Sequence, residues 1–257
     1  MPTLSRSTKR LAKGLLARLG YEIRELPRSL DSAAALTVKE GEYYTRWSPP
    51  CPLFAPWSGH PDFQQAYEKI APHTVVSADR CYILLALARY AVHLTGDFAE
   101  CGVYKGGTAL LLCRALTGTG KMLHLFDSFQ GLPAPNPRYD THYREGTFGN
   151  VSIEAVRALL HEFALFVDMR PGWIPTTFAG LEDKRYAFVH IDVDLHQSNL
   201  DCCEYFYPRL VKGGVILFDE YGFPSTRGEK DAVDHFFADK PESPITLPTG
   251  QAVVLKV

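Results

Sequence analysis

From about residue 77 onward the chain alternates between short apolar runs and amphipathic stretches. Apolar, β-branched and aromatic residues gather near 98–101, 122–126, 165–169, 186–191 and 214–218, each run too short for a helix, which predicts buried strands. Between them, near 106–117, 152–163 and 197–210, the pattern is helical and predicts helices packed on a sheet. A further helix is predicted from Ser77 to Ala91, with Ser77 as N-cap and Asp79 in the first turn. Such alternation implies an α/β fold: a doubly wound, Rossmann-like parallel sheet ordered 3-2-1-4-5 with helices on both faces. The closing stretch, Pro244 to Val257, reads as two β runs around a Thr249-Gly250 turn, hence a terminal antiparallel hairpin.

Upstream the pattern breaks. From Glu25 to Pro72 prolines interrupt a segment rich in aromatics, among them Tyr43, Tyr44, Trp47, Phe54 and Trp57, which predicts an irregular cover or lid rather than disorder. Before it, Leu11, Leu15, Leu16 and Leu19 recur at helical spacing among Arg6, Lys9, Arg10, Lys13 and Arg18. This amphipathic helix is expected to face solvent or pack on a second copy in a homo-oligomer, with contact to an anionic membrane surface the less favoured reading. Lys13 and Arg18 interrupt the apolar run a signal peptide needs. The expected organisation is an extension over 1–72 and an α/β domain over 73–257.

Two predicted strands end abruptly in acid: His190-Ile191-Asp192-Val193-Asp194 and Phe218-Asp219-Glu220-Tyr221-Gly222. Strands four and five of a doubly wound sheet are neighbours, so Asp192 and the Asp219-Glu220 pair are expected side by side at its carboxyl edge. Clustered hard oxygen donors point to a divalent metal, with Mg²⁺ foremost. Asp194 is expected to share a strand face with Asp192 by period-two alternation, and His196 to lie in the following turn. Asp192, Asp194 and His196 are therefore the candidate general bases, although for His196 a packed or supporting role is favoured over catalysis.

Glycines at 102, 106 and 107 follow the first strand and open a helix, so backbone can approach a ligand there. The spacing Glu100-x-Gly102-x-x-x-Gly106-Gly107 matches neither the dinucleotide fingerprint nor the phosphate loop. Glu100 would repel a diphosphate but suits the sulfonium and ammonium of S-adenosylmethionine. Asp127 then falls at the end of the second strand, where the ribose hydroxyls of a nucleoside would sit. Ser77, Arg80, Thr108 and Ser128 complete the expected cofactor contacts. His142 and Tyr143, in the long stretch from Leu132 to Asn150, could reach an acceptor from a mobile lid, but the favoured reading makes them surface residues.

Composition narrows the classes. With 46% hydrophobic and 22% charged residues and a net charge of −2, the chain gives no sign of a nucleic-acid partner. No apolar run approaches the roughly 20 residues a membrane helix needs. Cysteines at 51, 81, 101, 113, 202 and 203 form no C-x-x-C pair, and reduced buried thiols in a cytoplasmic protein are expected.

The sequence resembles the macrocin/mycinamicin O-methyltransferase family, metal-dependent enzymes that methylate sugar hydroxyls of natural products. The resemblance rests on Phe98-Ala99-Glu100-Cys101-Gly102-Val103-Tyr104-Lys105-Gly106-Gly107, Phe126-Asp127-Ser128-Phe129-Gln130-Gly131, Pro171-Gly172-Trp173, Asp192-Val193-Asp194-Leu195-His196-Gln197-Ser198, and Tyr207-Pro208-Arg209-Leu210 leading to Gly213-Gly214 and Asp219-Glu220-Tyr221-Gly222. It implies a class I methyltransferase fold, for which the terminal hairpin is normal. It also implies S-adenosylmethionine and Mg²⁺ as cofactors and a small glycosylated or diol substrate. By resemblance Asp192, Asp219 and Glu220 hold the metal, Asp127 the ribose, and Gly172 and Trp173 lie near the cofactor. The chain departs from the family at Glu220, commonly Asp, at Gln130, often acidic, and at His196, usually tyrosine. A catechol-type acceptor is the alternative within this fold. From other classes, a nicotinamide oxidoreductase is disfavoured by the glycine spacing, and a non-catalytic binding protein by the intact carboxylates.

Overall fold

Residues 55–257 are described by the computed structural model. The basic amphipathic stretch and the aromatic segment up to Phe54, on which the oligomer and membrane expectations rest, lie outside the described residues. Seven strands form one sheet in the order β3-β2-β1-β4-β5-β7-β6. They are β1 (Asp97–Cys101), β2 (Leu123–Asp127), β3 (Val167–Pro171), β4 (Tyr186–Ile191), β5 (Leu210–Phe218), β6 (Ile245–Thr246) and β7 (Ala252–Leu255). The first five pair in parallel, as their continuous apolar runs require. β7 enters antiparallel beside β5, pairing Phe218 with Ala252, and β6 closes the edge.

The described helices are α1 (Pro56–Gly59), α2 (Pro61–Ile70), α3 (Ala78–Ala91), α4 (Gly107–Leu116), α5 (Ile153–Leu159), α6 (His196–Phe206) and α7 (Arg227–Phe237). One face of the sheet, with Phe98, Phe188, Val215 and Leu217, packs on α2, α3 and α4. The other, with Ala99, Val189, Ile191 and Phe218, packs on α6 and α7. Cys81, Cys101, Cys113, Cys202 and Cys203 are buried and free. No described helix is long and apolar enough to cross a membrane.

The structure departs from the expected pattern in three places. Pro56–Gly59 and Pro61–Ile70 are helical, joined by an extended His60: Pro56 and Pro61 each occupy a first helical turn, where the missing amide costs nothing, and Phe63 and Ile70 are buried. β5 begins at Leu210, and its pairing with β4 jumps from Tyr186–Leu210 to Phe188–Val215. Gly213, at φ 78°, absorbs that irregularity. β3 starts two residues late, after the turn at His161–Phe163, leaving Leu165 exposed. All five parallel strands deliver their carboxyl ends to one edge.

Candidate functional site

A pocket opens at that edge. Its walls are Gly102 and Tyr104 after β1, Phe126, Asp127 and Ser128 at the end of β2, Gly172, Trp173 and Ile174 past β3, Asp192, Val193 and Asp194 past β4, and Glu220 past β5. Leu132, Pro133 and Phe148 close it from the long loop before α5.

The glycine turn has the backbone shape expected of it. Gly102 has φ 85°, and a Cβ there would fall 1.8 Å from the Asp192 carbonyl oxygen, so no other residue fits. Gly106, also left-handed, is the N-cap of α4; Gly107 packs against the His73 carbonyl, and Thr108 is buried behind it. Asp127 holds this turn in place. Its Oδ2 accepts from the amides of Val103 and Tyr104 at 2.8 Å each, and its Oδ1 from Phe129 at 2.7 Å. A carboxylate has about four acceptor sites, so one stays free for a ligand hydroxyl. Ser128 Oγ donates to the Gly131 carbonyl at 2.8 Å and shapes the next turn. Tyr104, Phe129, Phe148 and Asp194 have φ between 51° and 65°, a conformation side chains rarely adopt. Three of these line the pocket and Phe129 adjoins it, so backbone strain concentrates at this site.

Facing the glycine turn is a cluster of acids. Asp219, fully buried, pairs with Arg80, accepts from Gln251 Nε2 at 2.7 Å and lies 3.4 Å from His190 Nε2. His190 Nδ1 meets Glu100 Oε1 at 2.9 Å. Burial alone would depress the His190 pKa, but its pairing with the carboxylates of Asp219 and Glu100 outweighs that and raises it to about 10. The same imidazolium, with Arg80, overcomes burial at Asp219 and holds its carboxyl below the usual range.

Asp192 and Asp194, which line the pocket, have no cation within ion-pair distance among the described residues. Burial first, and then the charges of Asp219 and Glu220, push Asp192 well up. Burial and Glu220 do the same to Asp194. Glu229, fully buried on α7, is raised by burial and by Glu220, although its Oε1 accepts from the Glu220 amide at 3.1 Å. Glu220 Oε1 is 3.5 Å from Arg80, while the buried Oε2 atoms of Glu220 and Glu229 have no partner among the described residues. Acids outnumber the available cations, and a divalent ion taking hard oxygen ligands answers that imbalance. The donor set fits: ligand atoms of Asp192 and Asp219 approach within 4.8 Å of each other and of His190, and Glu220 has a free oxygen beside them.

Several predicted site residues stand elsewhere than expected. Glu100 is fully buried against His190 and does not line the pocket. Arg80 belongs to the acid cluster, also lying 4.9 Å from the Phe223 ring centre. Ser77 Oγ accepts from Arg80 Nε at 3.2 Å and makes no bond to the amides of α3. β4 ends at Ile191, so Asp194 reaches the pocket through a left-handed turn, not strand alternation. His196 starts α6 with its ring stacked on Tyr139, centroids 3.9 Å apart, outside the pocket lining. Tyr143, read as a surface residue, is half-buried, its hydroxyl pKa raised by burial and the charges of Asp194 and Glu220.

Sequence reasoning missed Tyr104, Leu132, Pro133 and Phe148. Tyr104 sits inside the glycine motif and was legible there; the other three come from a loop with no periodicity. His190 was legible as the lone polar residue within Tyr-Ala-Phe-Val-His-Ile.

The profile of the family described as macrocin-O-methyltransferase (TylF) matches residues 70–249. A curated relative, the 8-demethyl-8-(2,3-dimethoxy-alpha-L-rhamnosyl)-tetracenomycin-C 4'-O-methyltransferase of Streptomyces olivaceus, is 32% identical over 55% of this chain and 58% of its own length. The demethyldecarbamoylnovobiocin O-methyltransferase of Streptomyces niveus is 30% identical over 57% of this chain and 60% of its own. The matched region thus spans less than two thirds of these two relatives. The mycinamicin III 3''-O-methyltransferase of Micromonospora griseorubida is 26% identical over 60% of this chain and 67% of its own length. Among solved structures, the O-methyltransferase NovP superposes with a TM-score of 0.62 at 26% identity, covering 72% of this chain and 82% of that one. The calicheamicin methyltransferase CalS11 shares the fold, with a TM-score of 0.60 at 19% identity over 75% of this chain and 90% of that one.

Proposed function

The chain belongs to the macrocin-O-methyltransferase family, and from that premise we propose that it transfers the methyl group of S-adenosylmethionine to a hydroxyl of a sugar on a natural product or glycan, with Mg²⁺ at the acid centre. One observation carries the reading: the glycine turn with Asp127 and the acids Asp192, Asp194 and Glu220 line the same pocket.

The cofactor's sulfonium already makes the methyl carbon electrophilic, so the protein has to align the acceptor oxygen and remove its proton. The Gly102 turn admits the cofactor closely, Asp127 keeps an acceptor site for a ribose hydroxyl, and Gly172 and Trp173 border the same space. Asp192, Asp219 and Glu220 would hold the ion. Bound there, it would lower the pKa of an acceptor hydroxyl. Asp194 is our choice for the proton acceptor, because it lines the pocket and burial beside Glu220 makes it a stronger base than an ordinary carboxylate. His196, turned onto Tyr139, is not.

The sugar acceptor draws support from the named substrates of the relatives, a rhamnosyl-tetracenomycin among them. The test is transfer of labelled methyl from S-adenosylmethionine to a panel of glycosides, sugar nucleotides and catechols, with Mg²⁺ and with chelator. Metal-dependent labelling of a glycoside or sugar nucleotide is expected. Labelling of catechols alone would replace the sugar by a phenol, and failure to bind S-adenosylmethionine would remove the proposal.

A further inference from the structure

Glu100 and His190 are register partners on neighbouring strands β1 and β4, and Asp219 follows the end of β5, the strand on the other side of β4. Alternation sends all three side chains to the face that packs on α3 and α4. All three are fully buried. Their contacts run in one line: Glu100 Oε1 to His190 Nδ1 at 2.9 Å, then His190 Nε2 to Asp219 Oδ1 at 3.4 Å. None of the three lines the pocket.

We propose that Glu100 and His190 are positioning residues for the acid centre: Glu100 fixes the orientation of the imidazole, and the imidazole fixes the Asp219 carboxylate. The strand-end Glu is thereby reassigned from facing the cofactor to supporting the opposite wall of the site. The Nδ1 contact with Glu100 sets the tilt of the fully buried ring, and Nε2 then faces Asp219 at ion-pair distance without a hydrogen bond among the described residues, so it is charge that holds the Asp219 carboxylate there. Arg80 and Gln251 each donate a hydrogen bond to Asp219, leaving about two of its four acceptor sites for an ion. Partners of this kind typically change metal affinity about 10–100-fold when removed.

The inference rests on the proposed ion site, and the wild-type protein separates the two. Mn²⁺ binding by electron paramagnetic resonance and S-adenosylhomocysteine binding by calorimetry without metal are measured first on the full chain. Absence of Mn²⁺ binding in the wild type overturns the ion site and this role with it. With wild-type binding in hand, Glu100→Gln, which keeps shape and removes charge, is expected to weaken Mn²⁺ about tenfold or more. Its affinity for S-adenosylhomocysteine is expected to stay unchanged. His190→Gln is expected to do the same, and the double variant no worse than His190→Gln alone, since the two act in one chain. Lost S-adenosylhomocysteine affinity in Glu100→Gln with Mn²⁺ binding intact overturns the inference, because it makes Glu100 a cofactor carboxylate. Nitrogen hyperfine coupling in the Mn²⁺ spectrum that His190→Gln abolishes also overturns it, because His190 would then be a ligand. A measurement on the wild type alone guards against unstable variants. The slowly exchanging ring N–H of a buried histidine is expected to shift in the ¹H–¹⁵N spectrum on adding Mg²⁺ and not on adding S-adenosylhomocysteine. The reverse pattern overturns the role.

Discussion

At Asp219 a carboxylate sits fully buried against Arg80, and at Asp192 a carboxylate sits among acids with burial and like charge both raising its pKa. The two are predicted to respond oppositely to substitution in metal-free protein. Asp219→Ala removes the carboxylate that the buried Arg80 and His190 share, leaving Arg80 only its 3.5 Å contact with Glu220, and should cost about 3 kcal/mol. Asp192→Asn removes one of several repelling charges and should leave stability unchanged or raised, while abolishing metal-dependent transfer. Urea denaturation in chelator checks both, and equal destabilisation would contradict the charge assignment. Gly102 gives a second residue-scale prediction. With its Cβ position 1.8 Å from the Asp192 carbonyl and φ at 85°, Gly102→Ala sets backbone against backbone, and no rotamer relieves it. Strain of about 1–3 kcal/mol and loss of S-adenosylhomocysteine binding in calorimetry are expected, and wild-type affinity would contradict the close approach.

Elements were legible where one period dominates. The strand runs around Phe98, Phe126, Phe188 and Phe218 have no competing pattern, and β1, β2, β4 and β5 end close to where they were read. α7 was not read from the sequence: Ala232, Val233 and Phe237 recur at helical spacing, but the first turn of the same buried face is Gly228 and Glu229, which serve contacts in place of apolar packing. Glu229 accepts from the Glu220 amide, and Gly228 makes room for Asp140: a Cβ there would fall 2.2 Å from its Oδ1. The site was legible at its strand ends, where acids interrupt apolar runs, and illegible in the 132–150 loop, whose shape depends on distant partners. Asp140 ties that loop down, accepting from the His196 amide at the start of α6 at 3.0 Å and from Asn136 at 3.1 Å. Asp140→Ala is expected to loosen the Phe148 wall, raising acceptor KM more than it lowers kcat, with cofactor affinity kept. The C-terminal hairpin has its own tie. Glu242 accepts from Tyr207 Oη at 2.6 Å, Lys256 Nζ at 2.9 Å and the Val257 amide at 3.1 Å. Burial opposes its ionisation, but those three bonds win and hold its pKa at about 2. A folded pKa below the unfolded one gives stability present above about pH 4.5 and lost as pH falls toward about 2. Acid titration of the thermal midpoint should therefore show a shallower fall over that window in Glu242→Gln than in wild type.

Across the described domain, the glycine turn and the acid centre are joined by one residue. The Asp192 carbonyl packs on Gly102, while its carboxylate faces Asp219 and Glu220. A ligand that settles the Gly102 turn must therefore constrain Asp192, and an ion that gathers the carboxylates must constrain the turn. Any such coupling is reciprocal: if Mg²⁺ tightens S-adenosylhomocysteine by some factor, S-adenosylhomocysteine tightens Mg²⁺ by the same factor. For two sites sharing a single backbone unit, a factor of about 5 or more is expected, equivalent to about 1 kcal/mol. Calorimetric titration of each ligand with and without the other measures both legs of the cycle. Asp192→Asn keeps the carbonyl and weakens the carboxylate's hold on an ion, so it should retain cofactor binding and lose the coupling. Independent binding in the wild type would mean that the Gly102 contact transmits nothing, and that the two halves of the pocket meet only through the substrate.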